Sequence, residues 1–403
     1  MRILVSGAGI AGPVLAYWLT RQGFCVTVVE RAPTPRKTGG HAVDLFRPAL
    51  HVSEKMGVLR RVEERATGTS RMTVHQEGAR RPVRVDLSKI FRATSDQHVE
   101  IMRDDLSEIY YDAARDDIEY LFGDSITAIS PDGEVRFENA APRRFDLVIG
   151  ADGLHSHVRR LVFGDESRFS TSIGASFGVL TLPNVSGLDG ELLMHVGVGR
   201  TAGMYGVRHL DDARALFLFR SGRELDHHHD ASRQKELLRD AFDGMHPDVD
   251  RWLAELDRNP AFYFDSIAQL RMDTWSRGRV TLVGDAGYSP GPVVGGSTSL
   301  AVVGAYVLAG ELARAGGDHE LAFPAYERAM AEHVRGSRTA ALSAAKTLIP
   351  ASRLGVRALA QGARLISALP AGPGCALLRL TTKSARLHNS MTVDDYPLSP
   401  TAS

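Results

Sequence analysis

The sequence predicts an α/β protein with a doubly wound parallel sheet, a second mixed β-sheet domain and C-terminal helices. Three observations support this fold class. A glycine-rich turn joins an N-terminal strand pattern to a helix pattern, and two later strand patterns end in turns that contain an aspartate. Residues 170–220 alternate between apolar and polar side chains, as strands do. A chain of 403 residues is long enough for two or three domains.

The N-terminal unit is a strand, a GxGxxG turn, a helix and a second strand. Its first glycine permits the tight turn, its second lets the backbone approach a pyrophosphate, and its third lets the helix pack closely. The helix N-terminus then faces the phosphates, and an acid at the end of the second strand can accept a hydrogen bond from a ribose. The predicted dinucleotide-binding residues are Gly7, Gly9, Ile10, Ala11, Gly12 and Glu30. Arg31 either pairs with phosphate or lies on the surface.

A second motif follows the strand pattern RFDLVI at residues 144–149. The chain turns there through Gly150, Ala151, Asp152 and Gly153. Ligands of open α/β sheets bind at the carboxyl ends of the strands, so Asp152 and Gly153 are candidate binding residues. The alternative is a plain turn, because Asp-Gly is a common turn pair.

A third motif, GDAGYSPGPVVGGSTS, begins at residue 284, after the strand pattern Val280–Val283. Gly284 and Asp285 form the turn, and prolines such as Pro292 stiffen the path that follows. Gly295 and Gly296 let the backbone approach a ligand, and the N-terminus of the next helix points back at it.

The three motifs, in this order, resemble those of the FAD-dependent monooxygenases of the para-hydroxybenzoate hydroxylase fold. The stretch TSLAVVGAYVLAGEL is most similar to actinobacterial relatives of the tetracycline-inactivating members. The resemblance implies a Rossmann-like FAD-binding domain that is discontinuous in sequence. It divides the chain into FAD-binding residues 1–70, 98–168 and 272–334, substrate-domain residues 71–97 and 169–271, and a C-terminal helical segment, 335–403.

The same resemblance implies roles for individual residues around FAD. The first motif holds the ADP half, and Asp285 binds the ribityl-pyrophosphate region. Asp152, Gly153 and Arg159 support FAD and the approach of the nicotinamide. Arg103 touches the flavin, and Gly39 and Gly40 lie along its ring. The remaining predicted contacts are Gly284, Pro292, Gly295, Gly296 and Ser297, the last standing where the family has glycine.

The resemblance implies that NADPH or NADH reduces FAD and that O₂ then oxygenates an aromatic or polycyclic small molecule, in natural-product tailoring or antibiotic modification. The flavin carries the chemistry, so no side chain is assigned as catalytic. One alternative is a non-redox cyclase or isomerase with structural FAD, because serine at 297 is unfavourable if that position needs positive φ. A second alternative is a non-catalytic flavin-binding partner protein. The predicted substrate pocket contains Met194, Met204, Tyr205 and Phe217.

Composition and charge exclude several other classes. The 48 basic and 48 acidic residues balance, so nothing indicates nucleic-acid binding. The longest apolar run is too short to span a bilayer, and two cysteines fit a reducing cytoplasm. Adjacent histidines seldom converge on one ion, so residues 226–230, DHHHD, predict no metal site. Residues 335–386 contain nine basic and no acidic residues. This is typical of a basic outer helix face, and the alternatives are a surface for an acidic partner, for a membrane or for an acidic carrier domain that delivers substrate.

Overall fold

The computed structural model describes residues 1–35, 40–94, 97–222, 230–258, 262–292, 296–368 and 393–397. Gly39, Gly295 and the histidine run 227–229, all named in the sequence predictions, lie outside the described residues. The described strands are β1 (Arg2–Ser6), β2 (Cys25–Glu30), β3 (Ala42–Phe46), β4 (Arg71–Gln76), β5 (Val83–Asp86), β6 (His98–Met102), β7 (Glu119–Phe122), β8 (Ile126–Ile129), β9 (Glu134–Phe137), β10 (Arg143–Arg144), β11 (Leu147–Gly150), β12 (Ser170–Pro183), β13 (Glu191–Gly197), β14 (Arg200–Gly206), β15 (Asp212–Phe219), β16 (Phe262–Leu270), β17 (Ser276–Arg277) and β18 (Val280–Leu282).

The described helices alternate with these strands in the first half of the chain and dominate its end, which confirms the predicted α/β class. They are α1 (Ala11–Arg21), α2 (Arg47–Lys55), α3 (Leu59–Glu64), α4 (Leu87–Thr94), α5 (Arg103–Ala114), α6 (His157–Phe163), α7 (Ala231–Phe242), α8 (Pro247–Ala254), α9 (Asp285–Tyr288), α10 (Ser297–Arg314), α11 (His319–Leu348) and α12 (Arg353–Ala368). No helix among the described residues is long and apolar enough to cross a membrane.

The sheet that positions the three motifs has the order β17-β18-β11-β1-β2-β7. Its strands are parallel except for β17. Continuous apolar runs form these strands because both faces of a parallel sheet are covered, and every residue of β11 is buried. Ser6, Gly150 and Leu282 lie in register at the carboxyl ends of β1, β11 and β18. The three motifs therefore begin at one edge of one sheet.

The second large sheet has the order β16-β12-β15-β14-β13-β4-β5 and is mixed, because β4 and β13 pair in parallel and the other neighbours are antiparallel. Both of its faces are buried. Helices α7 and α8 cover one face, where Phe217 packs with Phe242 and Trp252. The other face packs against α11 and α12 and lies towards the first sheet.

Two smaller sheets, β10-β9-β8 and β3-β6, complete the described strands. Helix α10 is buried on nearly all sides and packs against α1 and α11. Cys25 is exposed at the start of β2, although the residues that follow it in this strand are buried.

Candidate active site

In the glycine-rich turn after β1, the first and third glycines are in tight contact with the protein, and the second faces open space. Gly7 has φ +105°, and a Cβ there would lie 2.6 Å from the carbonyl oxygen of Ala151. A Cβ on Gly12 would lie 1.9 Å from the carbonyl oxygen of Gly7, so helix and turn are in direct backbone contact. A Cβ on Gly9 would meet nothing within 4 Å. Gly7 and Gly12 therefore shape the turn, and Gly9 faces open space.

The start of α1 suits an anion. Ile10 is the N-cap residue and makes no capping hydrogen bond through its side chain, and the first turn, which begins at Ala11, contains no acid. The unpaired N–H groups of such a helix start attract phosphate. Glu30 at the end of β2 accepts hydrogen bonds from the backbone N–H groups of Ala8 and Ala32, both at 2.8 Å. These bonds hold the carboxylate beside the turn, whereas Arg31 is exposed.

The third motif supplies an acid and a second open helix start. Gly284 has φ +67°, and Asp285 follows as the first residue of α9. Burial raises the pKa of Asp285, and the charge of Arg103 opposes that rise. Gly296 is the left-handed N-cap of α10, with φ +66°, and the first turn of α10 contains no acid. Ser297 is the first helical residue, so the residue with positive φ is a glycine and the serine is not strained there.

Arg103 is the first residue of α5, and its charge acts on both His41 and Asp285. Desolvation of the half-buried His41 ring and the charge of Arg103 lower the pKa of His41 to about 4. Gly40 donates its N–H to Oδ2 of Asp104 at 3.1 Å and accepts from Nε of Arg214 at 3.2 Å. Gly40 therefore joins α5 to the large mixed sheet. Pro292, also predicted to contact the cofactor, is half-buried at the end of a described segment.

The second motif is held mainly by its own hydrogen bonds. The carboxylate of Asp152 accepts from the hydroxyl of Ser156 and from the backbone N–H groups of His157 and Val158, at 2.8 and 3.0 Å. It therefore caps α6. Gly153 has φ +82°, and a Cβ there would meet nothing within 4 Å. The backbone at Gly153 therefore faces open space.

Arg159 does not lie where the resemblance implied. Its side chain is fully buried and donates to the carbonyl oxygens of Ala286, at 2.8 Å, and Leu154, at 2.6 Å. It also pairs with Glu166. Arg159 thus fastens the second motif to the third and is not available to an approaching nicotinamide.

A polar cluster on the mixed sheet faces this edge, and the sequence analysis did not find it. The hydroxyl of Tyr263 donates to Oδ2 of Asp265 at 2.9 Å. The two ring nitrogens of His155 lie 3.1 Å from Oδ2 of Asp265 and 3.0 Å from Oε1 of Glu166. Hydrogen bonds to these two carboxylates raise the pKa of His155 to about 10, so the imidazole is charged at neutral pH. Helix α9, which begins at Asp285, contacts β16, so this cluster lies beside the third motif.

The residues of the predicted substrate pocket lie on both faces of the mixed sheet. Tyr205 lies towards the first sheet, and its hydroxyl accepts from the backbone N–H of Ala42 at 2.7 Å. Met204 and Phe217 lie on the opposite face, in the core beneath α7 and α8. Strand residues alternate between faces, so neighbours such as 204 and 205 cannot line one pocket. Met194 packs in the cluster that includes Val356 of α12.

The residues present fit a dinucleotide at this edge. Two helix starts without acidic residues, the open space over Gly9 and the fixed carboxylate of Glu30 match a pyrophosphate flanked by ribose. The space between this edge and the mixed sheet, bordered by Arg103, Asp285 and Tyr263, is called the cleft below. An acid such as Asp285 then suits hydroxyl groups and not phosphate.

Comparison with known proteins identifies the family. The family described as "FAD binding domain" matches residues 1–322. The chain belongs to this family. An uncharacterized protein of Mycobacterium tuberculosis is 44% identical over 340 residues, 80% of this chain and 88% of that protein. A flavin-dependent monooxygenase of Legionella longbeachae is 36% identical over 330 residues, 81% and 84% of the two chains.

A solved structure extends the likeness over the whole chain. The crystal structure of tetracycline destructase Tet(51) superposes with a TM-score of 0.81 at 30% identity, covering 98% of this chain and 99% of that one. The resemblance to FAD-dependent monooxygenases is therefore confirmed. The protein is an oxidoreductase with FAD as its cofactor.

Proposed function

We propose that this monooxygenase uses NADPH or NADH and O₂ to oxygenate an aromatic or polycyclic small molecule, in natural-product tailoring or antibiotic modification. The observation that carries the proposal is the likeness to tetracycline destructase Tet(51), which covers 98% of the chain and includes the mixed sheet over the cleft. A likeness that extends through the substrate-facing sheet supports a related substrate class more strongly than one limited to the cofactor-binding residues.

The proposal assigns the cofactor contacts as follows. The backbone at Gly9 and the start of α1 hold the pyrophosphate, and Glu30 accepts from the adenosine ribose. Asp285 and the start of α10 hold the ribityl-pyrophosphate region, and Arg103 lies at the flavin. Bound FAD supplies electron transfer from the nicotinamide and the activation of O₂.

The chain's own residues orient the substrate and limit water in the cleft. Two polar links join the mixed sheet to the cofactor side, Tyr205 to Ala42 and Arg214 to Gly40. They fix the distance between the sheet and the flavin position, which sets where a reacting carbon can lie. His155, charged and held by two carboxylates, shares Oδ2 of Asp265 with Tyr263 and so places a positive charge at the mixed-sheet side of the cleft.

The non-redox alternative is weaker on this structure. A cyclase or isomerase with structural FAD was motivated by a strained serine at 297. The positive φ falls on Gly296, and Ser297 is helical, so the loop keeps its conformation. The relatives named as monooxygenases are enzymes, which leaves the non-catalytic partner without support.

Two further assignments belong to the proposal. The domain division stands as proposed, supported by the mixed sheet drawing its strands from residues 71–86 and 170–270. A cytoplasmic location is supported by the two-cysteine composition. The comparisons give no support to an acidic carrier domain at the basic segment.

The test is an absorption experiment followed by product analysis. We expect the purified protein to show a bound-flavin band that bleaches when NADPH or NADH is added without oxygen. With O₂ and a panel of polycyclic phenols, one product should gain a single oxygen atom that derives from isotopically labelled O₂. Bleaching without label in any product would limit the protein to oxidase chemistry. A product of unchanged mass, formed without nicotinamide, would favour the isomerase.

A further inference from the structure

Three histidines from separate parts of the chain meet on the mixed sheet. His75 on β4 and His195 on β13 are directly paired across the two strands, and His246 immediately precedes α8. The ring centroids are 5.0 Å apart for His75 and His195, 4.1 Å for His195 and His246, and 5.6 Å for His75 and His246. One ring nitrogen from each lies within 4.8 Å of the other two.

The central histidine lacks hydrogen-bond partners. His195 is 2% exposed, and neither of its ring nitrogens makes a hydrogen bond within the described part of the chain. Oδ2 of Asp248 lies 3.5 Å from Nε2, too far for a well-formed bond. Buried polar atoms are nearly always paired, and leaving one unpaired costs about 1–3 kcal/mol. The unpaired nitrogens of His195 therefore indicate a missing partner.

We propose that His75, His195 and His246, together with Asp248, bind a divalent transition metal ion, with Zn²⁺ as the ion that fits best. Three imidazoles and one carboxylate form a ligand set that suits Zn²⁺, and four protein ligands are typical of structural zinc sites. The proposal does not depend on the monooxygenase function.

The protonation of the cluster suits metal binding. Burial, together with the neighbouring histidines, lowers the pKa of His195 to about 4. Burial also lowers the pKa of His75, and His246 adds to the effect. Both rings are therefore neutral at pH 7, which is the form that donates a nitrogen lone pair to a metal.

Small side-chain rotations bring the ligands to zinc distances. Zn–N bonds of about 2.0–2.1 Å place tetrahedral ligand nitrogens about 3.3–3.4 Å apart. The nitrogens of the three histidines lie within 4.8 Å of one another, so they have to move closer together to bind one ion. Nδ1 of His246 accepts from the backbone N–H of Asp248 at 3.1 Å. Coordination through Nε2 would make Nδ1 a donor, and Oδ2 of Asp248, 3.3 Å away, is placed to accept that proton. Asp248 can thus orient His246 as well as bind the ion.

The site lies on the side of the sheet away from the flavin. His195 is paired with Ala202, and Ala202 with Phe217, so these side chains share the face covered by α7 and α8. The ring of Trp252 on α8 packs edge-on against His195 at 5.5 Å. A metal here would tie β4, β13 and the start of α8 together. Its role is therefore structural, and it takes no part in the redox reaction.

The experiment uses full-length protein without an affinity tag, stripped with a chelator and titrated with Zn²⁺ in competition with a chromogenic chelator. Co²⁺ is added separately, because tetrahedral Co²⁺ has a strong visible absorption. The test variant is His75→Gln, which changes a half-buried ring, and His195→Gln is a second variant with a higher risk of misfolding. His51→Gln is the matched control, since that ring is 54% exposed on α2. A triple variant, His227→Ser, His228→Ser and His229→Ser, tests whether these three consecutive histidines bind the metal instead.

We expect one Zn²⁺ per wild-type chain, a tetrahedral Co²⁺ spectrum and a higher melting temperature with metal. His75→Gln should weaken Zn²⁺ binding by more than the roughly 10- to 100-fold loss that follows removal of an outer-shell partner, with flavin content unchanged. The His51→Gln and triple variants should bind like wild type. The proposal is overturned if wild type takes up no stoichiometric metal, or if binding survives His75→Gln and is lost in the triple variant.

Discussion

Gly9→Val tests whether the glycine-rich turn leaves room for a pyrophosphate. A Cβ at Gly9 meets no protein atom within 4 Å, so the substitution should leave the fold of the FAD-free protein intact. The added side chain would occupy the space through which the backbone approaches the phosphates. We expect FAD affinity to fall at least tenfold, which corresponds to about 1.4 kcal/mol of binding free energy.

Gly12→Ala provides the contrast, because there the space is occupied by the protein itself. Its Cβ would lie 1.9 Å from the carbonyl oxygen of Gly7, and this backbone atom cannot move without shifting the turn. Overpacking typically costs about 1–3 kcal/mol and occasionally more, so the free energy of unfolding should fall by at least that range. FAD affinity would fall as a secondary effect of the displaced helix.

The assay compares FAD dissociation constants, by flavin fluorescence, with urea unfolding of the FAD-free proteins. Gly222→Ala serves as the matched control, since its Cβ also meets nothing within 4 Å and it lies on the mixed-sheet side of the chain. The reasoning is refuted if Gly9→Val binds FAD like wild type and like Gly222→Ala. It is also refuted if Gly9→Val unfolds as easily as Gly12→Ala, because the glycine would then be structural.

Three other substitutions test the remaining assignments. Asp285→Ala should lower the flavin content of the purified protein, and normal content would remove this carboxylate from the cofactor site. Phe217→Ala should lower the free energy of unfolding by about 3–5 kcal/mol in urea melts, because the ring is fully buried, and should leave FAD affinity unchanged; a changed affinity would return Phe217 to the cleft. His155→Gln should destabilise the protein by about 1 kcal/mol at pH 6, after allowance for the ring's partial exposure. The folded-state pKa of about 10 lies above the ordinary histidine value of 6.5, so this stabilisation is fully present below pH 6.5 and is lost as pH rises towards 10; a difference that grows with pH would contradict the charged pair.

The edge of the parallel sheet at which the three motifs begin could be predicted from sequence, because the sequence patterns that mark it are local. A glycine at a fixed spacing after a strand reports a backbone conformation that only a few residues determine, as Gly7 shows with φ +105°. The role of Arg159 was implied by the resemblance, and its contacts are not local. Nothing in its neighbourhood shows that the side chain turns inward to the carbonyl oxygen of Ala286, 127 residues later.

Side-chain facing and long-range clusters could not be predicted in the same way. Alternation separates Met204 from Tyr205, but both faces of the mixed sheet are buried, so apolar character does not tell which face lies towards the flavin. The cluster of His75, His195 and His246 depends on strand pairing across 120 residues. No spacing rule in the sequence signals it.

Helix α11 limits how the two halves of the molecule can move. Its 30 residues span about 45 Å at 1.5 Å per residue. Phe323 and Tyr326 near its start pack in the core around the parallel sheet, while Ala341 and Ala345 near its end pack on the mixed sheet. Gln269 of β16 also donates to the carbonyl oxygen of Arg338 on this helix, at 2.8 Å.

A hinge motion that opened the cleft would have to separate one end of α11 from the sheet it packs on, or bend the helix in its middle. Hinged enzymes instead concentrate the change in a few residues between bodies that share little packing. Substrate entry and product release should therefore depend on local rearrangement at the rim of the cleft. The gap between flavin and sheet then stays nearly constant through turnover, and the size of an acceptable substrate is set by side chains on the inner face of the sheet.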